Sequence, residues 1–85
     1  MAEKKMTLYR TSDIYFGSYL MSIDVPLMDT EKQRGDDGGR RVVFVFKVPE
    51  SEIGRMKAAY FGGSGTVRAR KYVDNLRNLK SLCFT

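Results

Sequence analysis

Residues 40–48 constrain the fold more than any other part of the chain. Their sequence, RRVVFVFKV, alternates two sets of side chains. One set is wholly apolar (Val42, Phe44, Phe46, Val48), and the other is half apolar (Arg41, Val43, Val45, Lys47). Because side chains of a β-strand point alternately to opposite faces, the pattern predicts a strand whose apolar face meets the core. The mixed face predicts partial cover by a neighbour.

A turn and two weaker strand segments precede this strand. RGDDGG, residues 34–39, is rich in residues that tolerate positive φ and is typical of a hairpin turn. PLMDTEKQ, residues 26–33, alternates imperfectly and is the expected partner strand. MTLYR, residues 6–10, is a candidate for a further strand. We therefore expect a β-hairpin, with a three-stranded antiparallel sheet as the open alternative.

One helix is expected before this hairpin in the chain, and another is expected after it. We expect Thr11 or Ser12 to cap a first helix, which Pro26 prevents from continuing. Gly17 lies inside that helix, where it predicts a close packing contact. ESEIGRMKAAYF, residues 50–61, predicts a second helix that the following glycines end.

The last helix has the strongest amphipathic pattern. We expect Thr66 to cap it, and its predicted apolar face comprises Ala69, Tyr72, Val73, Leu76, Leu79 and Cys83. The sequence therefore predicts an α+β fold in which the hairpin packs against three helices. With 85 residues, we expect one domain over residues 1–85.

Composition limits the environment that the chain is expected to occupy. No apolar run approaches the roughly 20 residues of a membrane helix, and the first residues contain no apolar signal region. Cys83 is the single cysteine, so no internal disulfide framework is expected. We therefore expect a cytoplasmic location and no membrane partner.

Several kinds of catalytic chemistry lack their usual residues. The chain has no His, which removes the commonest general base and most zinc sites. Cys83 is expected to be a small core residue, and the acidic residues fall where turns and helix starts favour them. DTEKQRGDDGGR, residues 29–40, differs from a calcium loop because Arg34 and Arg40 replace its Gly and bidentate Glu. We expect no enzyme, no metal site and no cofactor.

The glycine-rich stretch GGSGTVRAR, residues 62–70, has two interpretations. It lacks the Lys of a P-loop and follows a predicted helix, so it does not match a nucleotide-binding motif. It fits a joint between two helices, with glycines ending one and Thr66 starting the next. The alternative is a single-phosphate contact at that helix start, assisted by Arg68 and Arg70.

Positive charge is concentrated in the second half of the chain. The net charge is +5: residues 1–39 hold five Lys/Arg against seven Asp/Glu, and residues 40–85 hold ten against three. Such clustering is typical of polyanion binding. The candidate nucleic-acid-binding residues are Arg40, Arg41, Arg68, Arg70, Arg77 and Lys80, together with Tyr9 and Arg10 as a stacking and charge pair.

Each of these charges also has a structural interpretation. Arg70, Asp74 and Arg77 share one helical stripe, where the acid can pair with both arginines. Arg68 and Lys80 lie at the edges of the apolar face, where they either cover the core with their stems or form the rim of a groove. Tyr15 and Phe61 are further candidates for base stacking.

Four segments carry a resemblance to a known group of domains. They are YRTSDIYFGSYLMS, GGRRVVFVFKVP, AAYFGG and VRARKYVDNLRNLKSL, which cover most of the chain in this order. The chain resembles a small family of bacterial, archaeal and phage domains of unknown function. The resemblance implies a compact α+β domain and transfers no catalytic residue and no ligand. A phage-like setting would favour nucleic-acid work by analogy.

Two functions follow as hypotheses. The first is a non-catalytic accessory module that binds nucleic acid through backbone phosphates, motivated by the basic half of the chain. The second is a module for protein interaction or self-association, motivated by apolar and aromatic content that a small core cannot fully hide.

Overall fold

The computed structural model describes residues 5–34 and 40–83. Its elements are β1 (Met6–Thr11), α1 (Ile14–Ser22), β2 (Leu27–Arg34), β3 (Arg40–Pro49), a 3₁₀ turn (Glu50–Glu52), α2 (Ile53–Gly62) and α3 (Ala69–Cys83). The α+β prediction is confirmed, because a three-stranded antiparallel sheet is combined with three helices. Apart from Arg34, the predicted turn at residues 34–39 lies outside the described residues.

β3 is the central strand of the sheet, whose strand order is β1-β3-β2. β1 lies antiparallel along one side of β3, with Thr11 opposite Phe44. β2 lies antiparallel along the other side, with Arg34 opposite Arg40. The expected hairpin is therefore formed by β2 and β3, and MTLYR contributes the third strand of the open alternative.

The core lies between one face of the sheet and the helices. As predicted, the apolar face of β3 is buried, with Phe44, Phe46 and Val48 fully inaccessible to solvent. Leu20 of α1 and Leu79 of α3 are equally buried and belong to the same cluster. Full burial of an aliphatic or Phe side chain contributes about 1.5–3 kcal/mol, so these residues account for much of the stability.

Asp13 caps α1, one residue later than expected. Its carboxylate accepts hydrogen bonds from the N–H groups of Tyr15 and Phe16, at 2.9 and 3.2 Å. The hydroxyl oxygen of Thr11 instead accepts a hydrogen bond from the N–H of Asp13. The prediction of Thr11 or Ser12 as the cap is therefore wrong. A carboxylate at this position also interacts favourably with the positive end of the helix dipole.

Gly17 lies where α1 is closest to the sheet and to α3. A Cβ atom at this position would lie 3.0 Å from Cδ1 of Leu79 and 3.3 Å from Cζ of Phe46. The predicted close contact is thus confirmed. It explains how a residue unfavourable to helices is accommodated in the middle of α1.

α2 has a shallower packing than α1. Ile53, Met56 and Tyr60 are half-buried against the core. No residue of α2 is fully buried. Gly63 ends the helix in the left-handed conformation, with a φ of 80°, as expected of the glycines there.

α3 begins at Ala69, so the prediction of Thr66 as its cap is wrong. The N–H of Tyr72 donates to the carbonyl of Arg68 at 3.0 Å, which places Arg68 at the start of the helix. The loop before α3 is hydrogen-bonded to α2, because the N–H of Gly65 donates to the carbonyl of Ala59 at 2.9 Å. Because the loop is tied to α2 at this point, the helix starts only after it.

The packed face of α3 is narrower than its apolar face. Leu79 is buried and Tyr72 and Leu76 are half-buried, as predicted. Val73 is 42% exposed, and Ala69 and Cys83 are exposed as well. The expectation that Cys83 is a core residue is therefore wrong, because it lies on the last turn of α3, beyond the buried contact of Leu79.

The second face of the sheet is covered by its own side chains. Val43 and Val45 of β3 are 8% and 3% exposed, although both point away from the core cluster. Nε of Arg10 on β1 lies 3.1 Å from Oε1 of Glu31 on β2. Since β3 lies between these strands, the ion pair passes over it. The two valines are thus buried on this face, which the ion pair of Arg10 and Glu31 shares.

Candidate nucleic-acid interface

The predicted binding residues lie in separate regions of the fold. Arg10 and Arg41 are on the face of the sheet opposite the core, which we call the open face, whereas α3 packs on the core side. Arg40 is the first residue of β3, and its side chain is outside the described part of the chain. Arg10 and Arg41 therefore do not lie on one surface with the cations of α3.

Three exposed cations of α3 follow one another along the helix. Arg70 and Arg77 are exposed and separated by seven residues, which places them on one side of the helix, and the exposed Lys80, three residues further on, lies at the edge of that side toward the apolar face. Asp74 lies within the same row. These four residues, called the α3 stripe below, carry three positive charges and one negative charge. The stripe spans about 15 Å from Arg70 to Lys80, at 1.5 Å per residue.

The predicted salt ladder on this helix is absent from the described residues. The ion pairs there include Lys5 with Glu50, Arg10 with Glu31 and Lys71 with Asp24, and none involves Asp74. Arg70, Arg77 and Lys80 also have no ion-pair partner within residues 5–34 and 40–83. Within these ranges, no ion pair engages the three charges.

Arg68 and Lys80 are both exposed. Arg68 precedes the helix and contributes its carbonyl to the first turn. A single-phosphate contact at the helix start would therefore involve the N–H groups after Arg68, since Thr66 lies outside the helix. Lys80 belongs to the last turn of α3, where a cation interacts favourably with the helix dipole.

Lys71 is engaged in holding α3 to the turn after α1. Its ammonium group donates a hydrogen bond to the carboxylate of Asp24 at 2.8 Å. That hydrogen bond, reinforced by the positive charge of Lys71, lowers the pKa of Asp24 below its ordinary value of 3.8. Asp24 also has a positive φ of 67°, which Asp tolerates better than most residues. The electrostatic contact thus stabilises a turn with an uncommon backbone conformation.

Tyr72 and Asn75 fix the same side of α3 against α1. The hydroxyl of Tyr72 donates to the carbonyl of Tyr15 at 3.3 Å, and the amide of Asn75 donates to the hydroxyl of Ser22 at 3.1 Å. Burial raises the pKa of the Tyr72 hydroxyl above 10.0, and the nearby Tyr60 adds to this effect. Because this side of the helix is occupied, the α3 stripe is directed elsewhere.

Tyr9 belongs to an aromatic cluster between β1, α1 and α2. Its ring is half-buried and meets the ring of Phe16 edge to face, with centroids 5.9 Å apart. The ammonium group of Lys57 lies 4.9 Å from the centre of the Tyr9 ring. Tyr9 is therefore separated from its neighbour Arg10, which is on the open face, and the two do not form a joint stacking and charge pair.

Phe61 is the most exposed aromatic residue of this cluster. It is 69% exposed, and its ring stacks on that of Phe16 with centroids 5.8 Å apart. Lys57 precedes Phe61 by four residues, so both lie on one side of α2. The sequence singled out Phe61 but not its proximity to Lys57, although the spacing of four residues contains that signal. Tyr15, the other candidate, is 50% exposed on α1.

The described residues provide few groups for metal or membrane chemistry. Among residues 5–34 and 40–83, no three Cys, Asp or Glu side chains come together in a way that could hold a metal ion. In the same ranges, no helix combines the length and the apolar character needed to cross a lipid bilayer.

Comparison with known proteins gives a family. Residues 6–85 match the family described as a domain of unknown function (DUF5659). Since the match covers nearly the whole chain, the protein belongs to this family. The resemblance to domains of unknown function is thereby confirmed. No curated protein and no solved structure matches the chain.

Proposed function

We propose that this member of the family is a non-catalytic accessory module that binds nucleic acid through its backbone phosphates. The α3 stripe carries the proposal, because three exposed cations follow one helix without an ion-pair partner in the described residues. Cations of this kind can replace the counterions of a nucleic acid, which is the main source of non-specific affinity.

The length of the α3 stripe matches a short run of phosphates on one nucleic-acid strand. Phosphates follow one another at about 3.4 Å along the axis of one strand, so a length of about 15 Å covers roughly four of them. Asp74 lies in the same row and opposes binding of a polyanion. We therefore expect weak contacts to phosphates, with affinity limited by this one acid.

The use of the carboxylates supports a non-catalytic role. Asp13 caps α1, Asp24 binds Lys71, Glu31 pairs with Arg10 and Glu50 pairs with Lys5. Each of these groups has a structural partner, and the chain lacks His to act as a general base. A binding function requires none of these groups to transfer a proton.

Fluorescence anisotropy with labelled single-stranded and duplex oligonucleotides tests the proposal. The variant R70Q/R77Q removes two charges from the α3 stripe, and R41Q/K47Q removes two exposed charges from the open face as a matched control. Only the first is expected to weaken binding strongly. For duplex DNA, its slope of log K against log salt should become shallower by about 0.9 for each phosphate that the variant no longer neutralises.

D74N provides the opposite test, because it removes the one negative charge of the stripe. We expect this variant to bind more tightly than the wild-type protein at low salt. The proposal is wrong if the wild-type protein binds no oligonucleotide at low salt. Equal weakening in R70Q/R77Q and R41Q/K47Q would show that net charge, rather than the stripe, determines binding.

Self-association through the open face is the second candidate function. Met6 and Leu8 of β1 are 41% and 49% exposed on this face. Arg10 and Glu31 add one positive and one negative charge to the same face. In a two-fold dimer, Arg10 of each copy can approach Glu31 of the other, so the face is self-complementary.

Light scattering across a range of protein concentrations tests this candidate. We expect a dimer for the wild-type chain and a monomer for M6Q/L8Q. V73Q is the control, since Val73 is an exposed apolar residue on α3, on the other side of the sheet. A wild-type protein that remains monomeric at all concentrations contradicts self-association and leaves the nucleic-acid proposal unaffected.

A further inference from the structure

We infer that Phe61 is a stacking platform for one base of a single-stranded nucleic acid, with Lys57 positioned for the adjoining phosphate. This inference rests on the proposed function. It extends that function by naming single-stranded nucleic acid as the preferred ligand. The α3 stripe binds the backbone of any nucleic acid, whereas an exposed ring needs an unpaired base. Single strands supply both groups, and every base has an aromatic face.

The ring of Phe61 is supported on one side and accessible on the other. Phe16, which is only 2% exposed, stacks on it with an angle of 24° between the ring planes. Tyr60 meets it edge to face with centroids 4.9 Å apart. A ring held by two neighbours loses little conformational freedom when a base stacks on it, so less affinity is lost to ordering.

The glycines after Phe61 leave space for a base. Cβ atoms at Gly62 and Gly63 would meet no atom within 4 Å. The chain therefore ends α2 with two residues that carry no side chain and have open space around them. The glycine-rich stretch does not match a nucleotide-binding motif, and its first two residues add no side chain next to Phe61 in the chain.

Lys57 supplies the charge that a stacked nucleotide requires. Its ammonium group lies over the Tyr9 ring at 4.9 Å, and Tyr9 contacts Phe16, the ring on which Phe61 stacks. The cation is thus held at the edge of the aromatic cluster, one helical turn before Phe61. An aromatic ring next to a cation matches the pairing of base and phosphate in a nucleotide.

Tryptophan fluorescence tests the stacking directly, because the chain contains no Trp. In F61W, the single indole replaces the proposed platform, and stacking of a base is expected to quench its emission. The probes are oligothymidine and an abasic oligonucleotide of the same length. Quenching is expected with the first and not with the second. M28W is the control, since Met28 is an exposed residue of β2 outside the aromatic cluster, and its emission should be unchanged by either probe.

Affinity measurements complete the test. F61A is expected to weaken binding of oligothymidine by between about fivefold and about 160-fold, the range for removal of one stacked base, and to leave duplex binding unchanged. F61Y keeps the ring and should retain the affinity. Circular dichroism confirms that F61A folds, which we expect because Phe61 is 69% exposed.

The outcomes separate this inference from the proposed function. If the wild-type protein binds oligonucleotides while F61W shows no quenching and F61A binds oligothymidine normally, the stacking platform is wrong and the phosphate-binding function stands. If the wild-type protein binds no oligonucleotide at low salt, both are wrong. Equal weakening of single-stranded and duplex binding in F61A would also overturn the platform, since a duplex offers no unpaired base.

Discussion

Arg10 and Glu31 join the two outer strands of the sheet across its central strand. Their side-chain atoms lie 3.1 Å apart, although the residues belong to β1 and β2 and both strands pair with β3. Arg10 lies opposite Val45 and Glu31 opposite Val43. The aliphatic stem of Arg10 can cover apolar surface while its charged end reaches the carboxylate. The ion pair thus lies on the same face of the sheet as the two buried valines Val43 and Val45.

A double-mutant cycle on this pair should give a small favourable coupling. Arg10 and Glu31 are 53% and 38% exposed, and partly exposed ion pairs contribute about 0.2–1 kcal/mol. Urea unfolding of the wild type, R10Q, E31Q and R10Q/E31Q measures the coupling, which should decrease at high salt. A coupling of zero at low salt would contradict a stabilising role for the pair.

The pair of Lys5 and Glu50 serves as the comparison for this cycle. Its atoms are 3.6 Å apart, and its side chains are 83% and 56% exposed. We expect a smaller coupling for K5Q and E50Q, since more exposed and longer-range pairs gain less. A larger value there would show that exposure does not determine the contribution of these ion pairs.

Substitution by Ala should affect stability differently at Gly17 and at Gly54. In G17A, the new methyl group would lie 3.0 Å from Cδ1 of the buried Leu79, which must move. Overpacking costs about 1–3 kcal/mol, and this exceeds or offsets the gain of about 1 kcal/mol in helix propensity. In G54A, no atom lies within 4 Å, so the gain should appear alone.

Thermal unfolding of G17A and G54A measures this difference. G54A should melt above the wild type, and G17A should melt below G54A by several degrees. In the double variant G17A/L79V, Val is shorter than Leu by one methylene and lacks the Cδ1 atom of the crowded contact. It should therefore be less destabilised than the sum of the two single changes. Equal melting temperatures of G17A and G54A would show that the contact at Gly17 is not tight.

The sequence predicts those features of the fold that depend on neighbouring residues. The face of β3 that is buried follows from a period of two residues, and the end of α2 follows from glycines that accept a positive φ. The start of α3 cannot be predicted from neighbouring residues. The loop before it is fixed by a hydrogen bond from the N–H of Gly65 to the carbonyl of Ala59 and by the proximity of Gly65 to Tyr19. Contacts of this kind depend on how helices dock.

The same distinction applies to the candidate interface. The spacing of Arg70 and Arg77 predicts that they share one side of a helix, and they do. The separation of Arg41 from these residues depends on which face of the sheet α3 covers. The spacing of residues within β3 does not contain that information. Arg10 and Glu31 are 21 residues apart in the sequence. They can pair only because β1 joins the edge of β3 opposite to β2, and the spacing of residues does not predict this arrangement.

Asp24 should make the stability of the protein sensitive to acid. Its carboxylate accepts a hydrogen bond from Lys71, and this contact lowers the pKa of Asp24 below 3.8. The ionised form is therefore favoured by folding. The resulting stabilisation is fully present above pH 3.8 and is lost as the pH falls through the lower pKa of the folded state.

D24N tests this dependence while retaining a residue that tolerates the positive φ of 67°. We expect D24N to melt below the wild type at neutral pH, with a difference that diminishes in acid. K71Q, which removes the other partner, should lose the same dependence on pH. A difference between wild type and D24N that stays constant down to acid pH would show that the charge of Asp24 has no role in folding.

Tyr72 should produce the opposite dependence at alkaline pH. Burial, reinforced by the nearby Tyr60, raises the pKa of Tyr72 above 10.0, so folding favours the neutral phenol. Its contribution is fully present below pH 10.0 and is lost as the pH rises through the higher pKa of the folded state. At neutral pH, its hydroxyl also donates to the carbonyl of Tyr15 at 3.3 Å, a length that indicates a weak hydrogen bond.

Y72F separates these two effects, because Phe retains the ring and cannot ionise. At neutral pH we expect it to be less stable by about 0.5–1.5 kcal/mol, the usual contribution of one hydrogen bond. Above pH 10.0, the wild type loses stability through Tyr72 and Y72F does not, so the difference should shrink. Urea unfolding of both proteins at matched pH values measures it, since groups common to both cancel. A difference that grows with pH would contradict the proposed burial of a neutral Tyr72.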